Sequence, residues 1–495
     1  MSDSDSLKVL TARSLKWNVI DRVASQVLYA VTGIVLARLL SQEDFGLVGA
    51  VLVFQAFASL LVDSGFSSAL IQRKQPTETD YSTVLWFNLG VSVFLYAILY
   101  VAAPLIADCF QGDQRLIPLS RVMFLTFILN ASSIVQVNRL MKRMDVKMVA
   151  VSNTLGLILG AIVGIWLAVA GYGAWAIVWQ SIALSGTKSL VLWLTQHWRP
   201  MWSFSFSSLK SFFAIGSSMM FTSFLNTLFL NIYSFFIGNR VGMASLGYYT
   251  QSDKWSKMGI MSLSQVLTST FVPALSSIQD DRERFTRVSA KMNRFMSYIA
   301  FPAFCGLIIL AEPIFHTLFG TKWDPSIILF QILLLRGIFT VIIGYYNNVL
   351  LALGRARAIM WMEIFRDSVA LIALILTLPY LAEVRAGNIV YGLEILLYGQ
   401  LAASVLTWLV TLFVLARYTD RSATSYIFDM LPYAVISVVA CAAARFAGSI
   451  VSTPLIILMV EAVIGVGVYL AVGYATGSKI QKEVLAYVVS NLRKK

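Results

Sequence analysis

Ser326-Ile327-Ile328-Leu329-Phe330-Gln331-Ile332-Leu333-Leu334-Leu335-Arg336-Gly337-Ile338-Phe339-Thr340-Val341-Ile342-Ile343-Gly344 carries a single charge in nineteen positions. The apolar character continues to residue 353. A helix needs about 20 apolar residues to cross a hydrocarbon core of about 30 Å, so this stretch reads as a membrane span. The same ruler, moved outward in both directions, gives thirteen more. They are 16–40, 45–72, 81–110, 117–140, 147–170, 173–198, 209–238, 246–278, 290–319, 358–382, 388–416, 429–448 and 454–477. None alternates with period two, so these are helices and not barrel strands. The sequence therefore predicts an all-α integral membrane protein of about fourteen transmembrane helices. The longest connection is expected from Gln279 to about Ser289.

Composition agrees. The 495 residues are 58% hydrophobic and 13% charged, against the roughly 25% charged of soluble domains. Met1 to Ser6 is polar and acidic. It lacks the basic start and short apolar core of a cleaved leader, so the first helix is expected to be retained. Cys109, Cys305 and Cys441 are scattered, without metal-ligand or disulfide spacing, and read as small apolar residues. With only His197 and His316 as histidines, no metal site is expected.

A net charge of +13 would suggest nucleic acid in a soluble protein. Its placement says otherwise. With the N-terminus inside, one set of connections holds Arg73, Lys74, Arg139, Lys142, Arg143, Lys147, Arg199, Lys210, Arg355, Arg357, Arg417 and Arg421. The basic run Arg282 to Arg294 and both termini join that set. The other face holds Arg115, Arg240, Lys322 and Arg385. Such a bias sets orientation, and it predicts both termini on the cytoplasmic side. In 479–495, Ile480, Val484, Leu485, Val488 and Leu492 share one helical face, which predicts an amphipathic helix on the inner leaflet.

A weak repeat divides the chain. Ser41-Gln42-Glu43-Asp44-Phe45-Gly46 joins the first two spans; Gly242-Met243-Ala244-Ser245-Leu246-Gly247 joins the seventh and eighth. Both place a bulky apolar residue before Gly at the start of the even helix. Two pseudo-symmetric six-helix lobes, 1–206 and 207–424, are expected, followed by two helices in 425–478 and the tail at 479–495. Repeats of this kind frame a central path in transporters.

Charges deep in the spans are costly unless paired or facing a watered cavity. Arg38, Arg121 and Arg445 lie near helix ends and read as interface anchors. Arg22 lies about 9 Å inside the first helix at 1.5 Å per residue. Asp63, roughly 15 Å in on the second helix by the same rise, is within pairing reach, and Asp21 adjoins Arg22. Lys254 and Lys257 share a face of the eighth helix, preceded by Asp253. Arg336 sits near mid-depth, and Glu363, Arg366 and Asp367 form a polar turn within reach of Arg336 or a lobe partner. Arg22, Lys254, Lys257 and Arg336 are thus the candidate cationic cavity. Asp63, Asp253, Glu363 and Asp367 are its ion-pair or coupling carboxylates. Cations along a path suit a phosphate or diphosphate cargo. Internal ion pairs that hold the bundle are the structural alternative for each.

Several stretches resemble bacterial polysaccharide exporters. They are Val35-Leu36-Ala37-Arg38-Leu39-Leu40-Ser41-Gln42-Glu43-Asp44-Phe45-Gly46-Leu47-Val48 and Gly65-Phe66-Ser67-Ser68-Ala69-Leu70-Ile71-Gln72-Arg73. Ala103-Pro104-Leu105-Ile106-Ala107, Gly171-Tyr172-Gly173-Ala174-Trp175-Ala176 and Leu246-Gly247-Tyr248-Tyr249 follow, then Phe271-Val272-Pro273-Ala274-Leu275-Ser276-Ser277-Ile278-Gln279-Asp280. Together they are similar to Wzx-type flippases of the polysaccharide transporter family, within the multidrug/oligosaccharidyl-lipid/polysaccharide (MOP) exporter superfamily. The colanic-acid exporter subgroup is nearest. The resemblance covers about 1–290; beyond it rests on hydropathy and Gly354-Arg355-Ala356.

The resemblance implies a MOP flippase-like fold around a cationic cavity. It implies transfer of undecaprenyl-diphosphate-linked repeat units to the periplasmic leaflet of the bacterial inner membrane. In the related lipid II flippases, arginines on helices one and eight hold the diphosphate; Arg22 and the Lys254/Lys257 pair occupy comparable helices. The expected partners are the lipid-linked glycan, membrane lipids and the glycan polymerase and export machinery, with no nucleic acid. No nucleophile–base pair, phosphate-cradling loop or nucleotide-binding domain is visible. A transporter is expected, not an enzyme, without a cofactor and driven by a proton or sodium gradient or the membrane potential. A multidrug exporter of the same superfamily is the first alternative; a membrane glycan polymerase or ligase is the second.

Overall fold

The computed structural model describes residues 3–63, 66–385, 387–478 and 480–483. Side chains of 1–13, 15, 63, 68, 214–216, 218, 219 and 266 fall outside that description. Thirteen of the described helices are long and apolar enough to cross a membrane. The chain forms two compact units, Met1–Gly247 and Tyr248–Lys495.

The first unit holds α1 (Asp3–Leu39), α2 (Gln42–Asp63), α3 (Phe66–Gln72), α4 (Glu78–Cys109), α5 (Leu116–Met123), α6 (Leu125–Lys142), α7 (Val146–Val169), α8 (Trp175–Thr195) and α9 (Phe206–Arg240). The start of α10 (Met243–Ser276) belongs to it as well. Two expected spans are broken here: 45–72 divides into α2 and α3, and 117–140 divides at Phe124. α7 packs closely along α8 because it presents Gly156 and Gly160 there. A Cβ at Gly156 would lie 2.7 Å from the Leu184 carbonyl oxygen, and one at Gly160 2.9 Å from that of Gln180. Small residues four apart let two membrane helices approach.

Helix starts are capped as their sequences dictate. At α4 the Thr77 hydroxyl accepts from Asp80 N at 3.2 Å, and the Asp80 carboxylate accepts from Thr77 N at 2.8 Å. At α2, Ser41 and Asp44 exchange the same pair of bonds. Each reciprocal pair satisfies two orphan N–H groups of a first turn. The connection 196–205 is strapped to α4: Met201 N donates to Ser82 Oγ and Ser205 N to Thr83 Oγ1, both at 3.0 Å.

The connections of this unit gather at two ends. At one, Arg139 of α6 donates to Glu78 of α4 at 2.6 Å and lies over the Trp198 ring of the α8–α9 connection. At the other, Arg115 after α4 reaches Glu43 in the first turn of α2 at 3.1 Å. The basic connections and the poor ones therefore sit at opposite ends, as the charge pattern requires.

The second unit holds the rest of α10, then α11 (Arg282–Ile309), α12 (Ala311–Leu318), α13 (Asp324–Ala352), α14 (Ala356–Thr377), α15 (Tyr391–Tyr418), α16 (Ala423–Gly448) and α17 (Pro454–Ala475). The expected long connection at Gln279–Ser289 is mostly helix. Asp281 accepts from Arg284 N at 3.0 Å and starts α11 eight residues early. The expected span 290–319 ends in a separate short helix, α12.

α14 is absent from the thirteen spans because Glu363, Arg366 and Asp367 put three charges into every long apolar window of it. Its 22 residues are nonetheless about 33 Å long, enough to cross. Topology requires that it does. Arg282, the first residue of α11, donates to Asp420, after α15, at 2.5 Å. α11, α13, α14 and α15 must then make an even number of passes. α14 completes the expected fourteen.

The lobes are expected to meet at 206/207; packing divides the chain at 247/248, because α9 lies on α2, α3 and α4. Of the expected amphipathic face of the tail, Ile480 is described and buried, while Val484, Leu485, Val488 and Leu492 fall outside the described residues.

Candidate functional site

In the first unit, Arg22 is exposed on α1. Its neighbour Asp21 turns to α7 instead: Asn153 Nδ2 donates to Asp21 Oδ1 at 3.2 Å and to Ser25 Oγ at 3.1 Å. Lys188 of α8 interacts electrostatically with Asp21. A polar seam therefore joins α1, α7 and α8, with Arg22 beside it. The Asp63 side chain, the expected partner of Arg22, lies outside the described residues.

In the second unit, the two lysines of α10 are in different situations. Lys257 Nζ lies 2.6 Å from Asp253 Oδ2, one turn away. Lys254 enters no ion pair among the described residues; it is exposed, 5.4 Å from the Trp255 ring centre. Asp253 is therefore a partner for one lysine, and the local surplus of positive charge rests on Lys254.

Arg336 of α13 donates to Gln400 Oε1 of α15 at 2.6 Å. Its Nε is buried and unbonded, as is Gln400 Nε2. Arg336 does not meet the polar turn of α14. Arg366 holds Glu363 at 2.5 Å and Asp367 at 2.9 Å within its own helix, and Asn347 of α13 donates to Glu363 at 3.1 Å. Side chains three and four apart on a helix reach each other more readily than they reach a neighbouring helix.

The two turns of the repeat meet within the first unit. A Cβ on Gly46 would lie 1.8 Å from the Met243 carbonyl oxygen; one on Gly247 would lie 1.9 Å from that of Gln42. The contact is reciprocal, since Gln42 and Gly46 of one turn correspond to Met243 and Gly247 of the other. Beside it is a polar cavity of about 330 Å³ lined by Glu43, Gln111, Asp113, Arg115, Met243 and Ser245. Arg115 is held by Asp113 at 2.7 Å and Glu43 at 3.1 Å. Its hydrogen bond holds the Asp113 carboxyl below the usual range, and the same bond raises Arg115.

One ionic cluster was not legible as such. Arg445, expected to be an interface anchor, donates to Glu312 of α12 at 2.6 Å and to Glu461 of α17 at 3.2 Å. Glu461 is 1% exposed. The available signal was an acid inside the otherwise apolar span 454–477.

Among the described residues no group of three or more His, Cys, Asp or Glu is arranged to hold a metal ion. Cys109, Cys305 and Cys441 are free and half-buried.

Known proteins share this architecture. The chain is 25% identical to the teichuronic acid biosynthesis protein TuaB of Bacillus subtilis (strain 168), over 69% of this chain and 71% of that one. It is 26% identical to the succinoglycan biosynthesis transport protein ExoT of Rhizobium meliloti (strain 1021), over 74% of each. It is 25% identical to the lipopolysaccharide biosynthesis protein WzxC of Escherichia coli (strain K12), over 75% and 76%. The fold matches a lipid II flippase MurJ structure in an inward closed conformation, with a TM-score of 0.71 at 15% identity, covering 92% of this chain and 97% of that one. It also matches a multidrug resistance MATE family transporter of the MOP superfamily in its inward-facing conformation, with a TM-score of 0.59 at 16% identity over 80% and 96%. Residues 35–328, well over half of the chain, match the family described as polysaccharide biosynthesis protein, and the chain belongs to that family.

Proposed function

We propose that this protein is a flippase that moves undecaprenyl-diphosphate-linked oligosaccharide repeat units across the bacterial cytoplasmic membrane, from the inner to the outer leaflet. The observation that carries this reading is family membership in a chain whose fold is that of a lipid II flippase. A polysaccharide pathway assembled on a lipid needs a step that takes a large polar head group through hydrocarbon. A helical bundle with charges held inside its spans is suited to that step. Relatives named for succinoglycan transport and lipopolysaccharide biosynthesis support the substrate class. The higher TM-score with the lipid II flippase than with the multidrug transporter favours this reading over a drug exporter.

Both termini lie in the cytoplasm, as the basic connections favour. Alternating access carries the head group while the lipid tail stays in the membrane. A proton or sodium gradient, or the membrane potential, supplies the work. Arg22 in the first unit and Lys254 in the second each offer a positive charge to a phosphate group; Lys257, offset by Asp253, contributes less. Arg336 and Glu363 hold α13, α14 and α15 together through Gln400 and Asn347.

Deletion followed by mass analysis of lipid-linked glycans tests the proposal. A completed repeat unit accumulating on the inner leaflet is the expected result. Shortened polymer with normal flipping would instead indicate a polymerase. Lys254→Ala at equal protein level should reduce export more than Lys257→Ala; equal export by the double variant and the parent would remove the head-group role.

A further inference from the structure

The cluster of Glu312, Arg445 and Glu461 stands between two cavities of the second unit. Below it, between α11, α16 and α17, is an apolar cavity of about 410 Å³ lined by residues such as Pro302, Leu307, Leu310, Ala440, Val466 and Leu470, with Glu461 in its wall. Above it is a smaller polar pocket of about 210 Å³, lined by Glu312, His316, Arg445 and Ser449. In the apolar wall Tyr469 donates to the Tyr298 carbonyl at 2.8 Å and Ser437 to the Tyr433 carbonyl at 2.7 Å. Glu461 keeps an unmet acceptor. Oε1 takes the Arg445 bond, but Oε2 is buried and accepts none. The carboxyl is held against Gly448, where a Cβ would lie 2.4 Å from Oε1.

An unmet acceptor on a buried carboxylate is expensive, and it calls for a donor. The charges point the same way. Two carboxylates share one guanidinium, leaving one net negative charge, and His316 is paired with Asp324 at 2.9 Å. Arg445 uses two of its five N–H donors in these bonds and is half exposed, so it can still meet an anion. An apolar slot capped by surplus carboxylate and one available guanidinium matches a lipid whose head carries both an ammonium and a phosphate.

We propose that this is a binding site for an aminophospholipid. One acyl chain occupies the cavity between α11, α16 and α17, the ammonium meets Glu461 and Glu312, and the phosphate meets Arg445. The site is distinct from the cargo path, because its net negative charge disfavours a diphosphate. Such a lipid would tie α12, α16 and α17 together.

The test is native mass spectrometry of the full-length protein in detergent, titrated with phosphatidylethanolamine or phosphatidylglycerol. Phosphatidylethanolamine should bind at least about tenfold more tightly, as expected for a hydrogen bond to a charged group. Glu461→Gln should abolish that preference. Gly465 lines the cavity, and a Cβ there meets only Ala444 at 3.5 Å. Gly465→Leu should therefore weaken retention of the lipid by occupying its space while leaving the charges in place. Should Glu461→Gln not fold, Glu312→Gln, at a half-exposed position, tests the charge instead. Equal binding of the two lipids to the parent protein would overturn the proposal, as would a preference that survives both the charge and the cavity variants. Because the readout is lipid binding and not export, it stands or falls apart from the flippase reading.

Discussion

Gly46 and Gly247 face each other's turns so closely that neither tolerates a Cβ without backbone movement. Gly46→Ala and Gly247→Ala should each destabilise the protein by about 1–3 kcal/mol, the usual cost of overpacking. Gly90→Ala, where a Cβ meets nothing within 4 Å, is the matched control. Thermal unfolding in detergent measures both, and an unchanged midpoint at Gly46 would refute the close contact. Asp113 gives a pH-dependent counterpart. Its folded carboxyl titrates below the unfolded value of about 3.9 because Arg115 is bonded to it. The stability it adds is fully present above that value and is lost as pH falls through the lower, folded one. The gap in midpoint between the parent and Asp113→Asn should be constant from about pH 6 to 8 and close below about pH 4. A gap that persists in acid would show that packing, and not charge, is responsible.

At the scale of elements, α14 is the most informative helix. Its charges remove it from a hydropathy ruler, yet the Arg282–Asp420 contact requires it to cross. The ion triplet eases the conflict, since Arg366 pairs with both Glu363 and Asp367 and leaves one net negative charge instead of two. Arg366→Gln should lower membrane insertion of this segment, because an unpaired carboxylate near the bilayer centre costs of order 2.5 kcal/mol, less where half exposed. Adding Glu363→Gln and Asp367→Asn should restore it. An insertion reporter fused after Thr377 measures this; no recovery in the triple variant would mean the charges serve something other than self-neutralisation. The seventh helix carries a different lesson. It was assigned to the second lobe by the repeat, but α9 packs into the first unit. A repeat records correspondence between segments, whereas packing is decided by which apolar faces are nearest once the chain has turned.

For the whole molecule, reporter fusions to the two ends should both give cytoplasmic signals if the charge bias orients the chain as proposed. Fusions between α1 and α2 and between α16 and α17 should give the opposite signal. A fusion at Thr419 that reports the outer side would break the alternation and with it the fourteen-pass reading. The gathering of Glu78, Arg139 and Trp198 at one end, and of Glu43 and Arg115 at the other, gives those fusions a structural basis.

The sequence by itself determined the class of protein and the number of passes, and it predicts the face on which each connection lies. These follow from the cost of placing backbone and charge in hydrocarbon, which acts on every segment separately and so is written locally. It also marked Arg22, Lys254, Lys257 and Arg336 as charges too deep to be incidental. Only the tertiary structure decided which of them are spent. Lys257 goes to Asp253, Arg336 to Gln400, and Arg366 to its own helix, while Lys254 enters no pair among the described residues. Arg445, which reads as an anchor, proved to clamp Glu312 and Glu461 beside an apolar cavity. The partner of a charge depends on which helices become neighbours, and residues 133 positions apart, as Glu312 and Arg445 are, carry no local sign of meeting.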